Sequence, residues 1–136
     1  MQLNPYLSFN GQCEAAFTYY ANVLGGTNVA MATYADSPMA DQVPSEWRNK
    51  IIHARLIVGD KVLMGSDNPP GHPSETKGFC VALGVEDPAE AERIFNALAE
   101  NGQVQMPIQE TFWAIRFGML VDRFGIPWMV NCEKAA

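Results

Sequence analysis

Ile51-Ile52-His53-Ala54-Arg55-Leu56-Ile57-Val58-Gly59-Asp60-Lys61-Val62-Leu63-Met64-Gly65-Ser66 is the stretch on which the fold turns. Two runs rich in aliphatic and β-branched residues flank Gly59-Asp60, the strongest short-range signal for a two-residue hairpin. Ile51–Val58 and Lys61–Ser66 are therefore predicted to be paired strands. Working backwards, Asp36–Asn49 has two prolines, mixed charge and Trp47, and reads as a long loop. Asn28–Tyr34 is rich in small and β-branched residues and reads as a strand. Gly25-Gly26 closes a helix that begins at Cys13, because apolar residues fall at 13, 16, 17, 20, 21 and 24, the spacing of one helical face. Leu3–Phe9, with Pro5 near its start, suits an edge strand broken by Asn10-Gly11. The order is βαβββ.

The same order recurs. Phe79–Val85 reads as a strand. Asp87-Pro88-Ala89-Glu90 opens a helix: Asp87 can cap it, Pro88 fits the first turn, and Glu90 stands where a capping box places it. Ala91, Ile94, Phe95 and Leu98 form its apolar face, and Asn101-Gly102 ends it. Val104–Phe112, Trp113–Val121 and Ile126–Cys132 follow as strands, the last two joined by a turn at Asp122-Arg123-Phe124-Gly125. Gly25 and Gly102 lie 77 residues apart and Ile57 and Leu120 lie 63 apart. The deficit of 14 equals the length of Asp36–Asn49, an insertion in the first half alone. The expectation is one α+β domain over 1–136, made of tandem βαβββ modules at 1–68 and 77–136 with a Pro- and Gly-rich linker at 69–76.

Composition narrows the function. The chain has 136 residues, 48% hydrophobic and 18% charged, enough apolar content for a folded core. Nine basic against fifteen acidic residues give a net charge of −6, and no Lys/Arg cluster exists, so nucleic acid is not an expected partner. No apolar run is long enough to span a bilayer, so no membrane partner is expected. Met1-Gln2-Leu3-Asn4-Pro5 has no basic or apolar leader character, and the expected location is the cytoplasm. Cys13, Cys80 and Cys132 are an odd, widely spaced set and read as free thiols. CxxC, Walker A, GxGxxG, HExxH and GxSxG motifs are absent.

Asn4-Pro5-Tyr6-Leu7-Ser8-Phe9-Asn10-Gly11, Glu14-Ala15-Ala16-Phe17 with Tyr20, and Leu24-Gly25-Gly26 resemble the opening of the PhnB-like branch of the vicinal oxygen chelate superfamily. Ile52-His53-Ala54 with Leu63-Met64-Gly65-Ser66-Asp67 resembles its middle signature. Phe117-Gly118, Asp122-Arg123-Phe124-Gly125-Ile126-Pro127-Trp128 and Asn131 resemble its closing one. The branch also carries the label demethylubiquinone methyltransferase-like, but the sequence has no Gly-rich loop for S-adenosylmethionine. The resemblance, to the group of glyoxalase I, bleomycin-resistance proteins, fosfomycin-resistance enzymes and extradiol dioxygenases, implies curved mixed sheets around a shared cleft and a homodimer.

Metal-dependent members place His or Glu on the first and fourth strands of each half. Carried onto this chain, those positions fall on Pro5, Met64, Cys80 and Met129. A register one residue away gives Tyr6, Gly65, Phe79 and Val130 or Trp128. Neither set holds a divalent ion, since one thiol alone does not make a site. The expectation is that the metal site is absent and no cofactor is used. The cleft would then be lined by Leu7, His53, Met64, Ser66, Cys80, Trp113, Trp128 and Met129, with Trp47 in a lid loop. The expected function is non-metal small-molecule binding, for sequestration or sensing. The alternative is a divalent-metal-dependent lyase, isomerase or dioxygenase using other ligands, such as His53 with Glu110.

Several residues admit two readings. His53 is either a cleft base or ligand, or a hydrogen-bonded histidine of the sheet surface. Trp113 and Trp128 either stack on a flat ligand or form core and dimer contacts. Asp67 either meets a cleft ligand or shapes a turn, and turn chemistry accounts for Asp122. Cys13 lies on the apolar helix face and reads as inert core, which leaves Cys80 as the thiol to test.

Overall fold

The computed structural model describes residues 1–72 and 75–134. The chain divides into two compact units, 1–75 and 76–136. Part of the expected linker, Pro73 and Ser74, lies outside the described residues.

The first unit contains β1 (Tyr6–Phe9), α1 (Cys13–Leu24), β2 (Thr27–Thr33), β3 (Ile51–Val58) and β4 (Lys61–Asp67). Its sheet has the order β1-β4-β3-β2, with β1 parallel to β4 and the other pairs antiparallel. The second unit repeats this with β5 (Val81–Gly84), α2 (Pro88–Ala99), β6 (Gln103–Gln109), β7 (Ala114–Val121) and β8 (Pro127–Glu133), in the order β5-β8-β7-β6. Each unit is thus a βαβββ module with a mixed four-stranded sheet, and the fold class is α+β. The connection between the second and third strands runs over residues 34–50 in the first unit and 110–113 in the second, 17 residues against 4.

In each unit the helix covers one face of the sheet, because strand residues alternate between faces. In the first, Leu7, Phe9, Ala54, Leu56 and Leu63 are buried together with Ala16, Phe17 and Tyr20 of α1. The Phe17 ring meets Phe9 edge-on at 6.1 Å and lies 5.9 Å from Tyr20. Gly65 is glycine for space: a Cβ there would stand 2.8 Å from both the Leu7 carbonyl and Phe17 Cε1. In the second, Leu120, Trp128 and Val130 are buried with Ala91, Ile94, Phe95 and Leu98 of α2.

Helix ends follow the residue chemistry. Gly25 adopts the left-handed conformation (φ 71°) that closes α1. Asp87 caps α2 through Ala89 N–H at 3.3 Å and Pro88 opens it. Glu90 does not complete a capping box; it pairs with Arg93 instead. Three strands start or stop inside the expected limits. Leu3 precedes β1 and is 96% exposed, Cys80 precedes β5, and Phe112 lies beyond β6 in the turn before β7, 89% exposed. No helix among the described residues is long and apolar enough to cross a membrane.

Candidate functional site

The buried carboxylates belong to the scaffold. Asp67, 1% exposed, accepts the Gly11 and Cys13 backbone N–H groups on Oδ1 and the Ile51 N–H on Oδ2, each at 2.9 Å. One carboxylate therefore ties the β1–α1 turn to the start of β3. Asp122 does the same for the β7–β8 connection: Oδ1 accepts Phe124 and Ile126 N–H at 2.8 and 3.0 Å, and Oδ2 accepts the Trp128 indole N–H at 2.9 Å. Both point inward. Burial, with the Asp67 and Glu14 carboxylates adding to it, pushes the Cys13 thiol far above the usual range, so Cys13 is a neutral core residue.

The helix-free face of the first sheet is different. Tyr6, Met64, Arg55 and Ala30 follow one another in register across β1, β4, β3 and β2. His53 stands two residues before Arg55 on the same side of β3. The Tyr6 hydroxyl and His53 Nδ1 are hydrogen-bonded at 3.2 Å, and their rings stack at 5.8 Å with 28° between planes. Ser8 and Ser66 form the next row. Arg55 is half-buried, and its Nε is buried without a hydrogen-bond partner. This face is a mixture of ring surface, thioether and polar groups rather than a purely apolar lining.

On the second sheet, Ala82 pairs with Met129 and Gly84 with Asn131. Gly84, Val85, Glu86, Ile115, Asn131 and Glu133 line an open pocket of about 560 Å³. Asn131 Oδ1 is buried and lacks a partner, and a Cβ on Gly84 would meet nothing within 4 Å. Trp113, 43% exposed, packs edge-on against Phe112 at 4.7 Å and Phe117 at 5.2 Å.

Of the residues expected at a cleft, His53, Met64 and Ser66 lie on the helix-free face of the first sheet, and Met129 on that of the second. Cys80 is half-buried just before β5, and Trp113 sits in the β6–β7 turn. Leu7 and Trp128 require correction. Each is 1% exposed, packed on the helix side of its sheet, because the strand register sends them to the core. Trp47 packs within its own unit. Its Cη2 lies 3.3 Å from where a Gly11 Cβ would stand, and Lys50, donating to the Gly11 carbonyl at 3.0 Å, holds its ammonium 5.9 Å from the ring centre. These contacts fasten the loop to the β1–α1 turn of its own unit. Sequence reasoning missed Arg55, Gly84 and the Asn131 amide. Arg55 had a signal, a single charge inside the apolar run Ile51–Val58.

The family-derived ligand positions hold a proline, two thioethers and a thiol, or a phenol, a glycine and apolar side chains. Among the described residues no three His, Cys, Asp or Glu side chains converge. Met64 stands in register between Tyr6 and Arg55, and the Arg55 cation opposes a metal charge. These residues do not fit a divalent ion.

Residues 1–131 match the family model described as 3-demethylubiquinone-9 3-methyltransferase. Protein YjdN of Escherichia coli strain K12 is 37% identical over 142 positions, covering 98% of this chain and 97% of its own. The crystal structure of PA1353 from Pseudomonas aeruginosa is 54% identical over 99% of both chains, with a TM-score of 0.90. A Bacillus cereus protein named PhnB superposes with a TM-score of 0.80 at 20% identity, covering 97% of this chain and 99% of its own. The fosfomycin resistance protein FosX of Mesorhizobium loti superposes at 0.63 with 10% identity, covering 98% and 92%, a likeness of fold alone. The chain belongs, over residues 1–131, to the 3-demethylubiquinone-9 3-methyltransferase family.

Proposed function

We propose that this protein binds a small molecule without a metal, to sequester or sense it. The observation that supports this is the pocket of about 560 Å³ on the second unit. That volume is in the range of small-ligand sites, its walls combine Gly84, Val85 and Ile115 with the acceptor groups of Glu86, Asn131 and Glu133, and it contains a buried amide oxygen with no partner. The family description names methyl transfer. At the first strand-to-helix turn the Asp67 carboxylate already takes the Gly11 and Cys13 N–H groups, and the sequence has no Gly-rich loop of the kind that holds S-adenosylmethionine. The free thiols support a cytoplasmic setting, and the exposed Phe112 and Trp113 rings support a homodimer contact.

The test is a thermal-shift screen of metal-stripped protein beside a Gly84→Leu variant. Gly84 has open space in front of it, so leucine fills the pocket without disturbing the fold. A compound that raises the Tm of metal-free wild type and not of Gly84→Leu is the expected result. One tightly held equivalent of divalent metal per chain, required for that shift, would overturn the reading in favour of the metal-dependent lyase, isomerase or dioxygenase.

A further inference from the structure

Nine Lys and Arg side chains stand against fifteen carboxylates in this chain. Eight of the nine have a partner. Arg48, Lys61, Arg93, Arg116 and Lys134 pair with carboxylates. Lys50 donates to the Gly11 carbonyl, and Lys77 and Arg123 also make contacts. Arg55 alone has no ion pair or hydrogen bond among the described residues, and its Nε is buried.

Its placement makes this notable. Arg55 is on β3, an interior strand, between Ala54 and Leu56, both 0% exposed on the helix side. Across the helix-free face its register neighbours are Met64 and Ala30, which offer no oxygen from their side chains. A half-buried guanidinium gives up part of its hydration, here at Nε, and a counter-anion would offset that loss. Among the described residues no carboxylate pairs with Arg55, although the chain carries an excess of them.

We propose that Arg55 anchors an oxyanion-binding site on the helix-free face of the first sheet, taking the carboxylate- or phosphate-type group of a small ligand. The planar guanidinium suits two oxygens of one such group. The body of the ligand has a platform beside it: Tyr6, 45% exposed and stacked on His53, with the adaptable Met64 side chain between Tyr6 and Arg55 in register. The ligand is therefore an oxyanion with an apolar or aromatic body. The site lies on a different unit from the pocket described above and takes a ligand class that the acid-lined pocket does not select.

The experiment is an NMR titration of the full chain with benzoate, phenyl phosphate and the neutral benzamide, following the Arg55 Nε–H resonance and the Tyr6 and His53 ring signals. The two anions separate carboxylate from phosphate recognition. The expected result is that at least one anion shifts all three sets of signals, that benzamide binds at least about tenfold more weakly, and that Arg55→Met abolishes the difference. Arg55→Lys, which keeps the charge without the fork, weakens binding and serves as well if the methionine variant is poorly folded. Equal affinity for benzamide and the anions, or no movement of the Arg55 Nε–H signal with either anion, overturns the proposal. Neither result depends on the Gly84→Leu screen, so failure of this site and failure of the small-molecule reading are separable.

Discussion

Trp128 donates its indole N–H to Asp122 Oδ2 at 2.9 Å, with the two residues 1% and 4% exposed. This bond joins the largest side chain of the second core to the carboxylate that also organises the β7–β8 connection through Phe124 and Ile126. The pair acts as a unit, so its members are not additive. Asp122→Asn and Trp128→Phe are each expected to destabilise the protein. The double variant should cost less than the sum by about 1–3 kcal/mol in urea unfolding. A coupling near zero would mean that the bond contributes nothing beyond the packing of the indole.

Asp67 has the same role in the first unit with different partners. Its two oxygens accept three backbone N–H groups, from Gly11, Cys13 and Ile51. Asp67→Asn replaces one acceptor by a donor, so at least one buried N–H meets an N–H. The expected loss is about 2–3 kcal/mol, read as a lower denaturation midpoint at unchanged m-value. Because the carboxylate faces inward, binding of any small ligand at temperatures where the variant is folded should be unchanged.

Cys13 makes stability depend on alkaline pH. Burial, with the Asp67 and Glu14 carboxylates, raises its pKa well above the ordinary thiol value of 9.0. The unfolded thiol therefore ionises first. Above about pH 9 the unfolded state has lost a proton that the folded state keeps. The contribution is fully present below that pH and declines as pH rises towards the folded pKa, by up to about 1.4 kcal/mol per pH unit. Tyr34, also raised by burial and by Asp67, acts in the same direction. The Tm of wild type should fall more steeply from pH 8.5 to 10.5 than that of Cys13→Ala, which lacks the group. Parallel curves would contradict this. Native Cys13 should also resist thiol reagents until the protein unfolds.

The elements were legible because each has its own local signal. Cys13–Leu24 and Ile51–Val58 match the expected limits, since the 3.6-residue spacing ends at a glycine pair and the strand ends at a two-residue turn. The side of a strand was less legible. Leu7 and Trp128 look like cleft residues in a list of apolar positions, yet register with Gly65 and Leu120 places both under a helix. The same pleat brings Arg55 onto the opposite face, where a charge in an apolar run is a feature of the site and not an irregularity of the strand. Asn131 belongs to a recognised signature, but its unpartnered oxygen is visible only once its neighbours are placed. Asp67 and Asp122 stand at turns, as their residue type suggests, while their long-range partners are properties of the tertiary structure.

Trp47 separates packing from gating. Its ring covers Gly11, which has φ 112° and admits no side chain without strain, and the Lys50 ammonium sits over the indole. The long 34–50 connection is thereby pinned at the point where β1 passes into α1, beside the backbone groups that Asp67 gathers. Trp47→Ala removes a half-buried ring and uncovers that turn, for an expected loss of about 1–2 kcal/mol. Lys50→Met should lose less, because the ring remains in place. A loop acting as a lid would give the opposite pattern, with ligand on- and off-rates altered and unfolding unchanged. Urea unfolding of both variants, together with ligand association kinetics, distinguishes the two: a fastened loop predicts a shifted midpoint with kinetics like those of wild type.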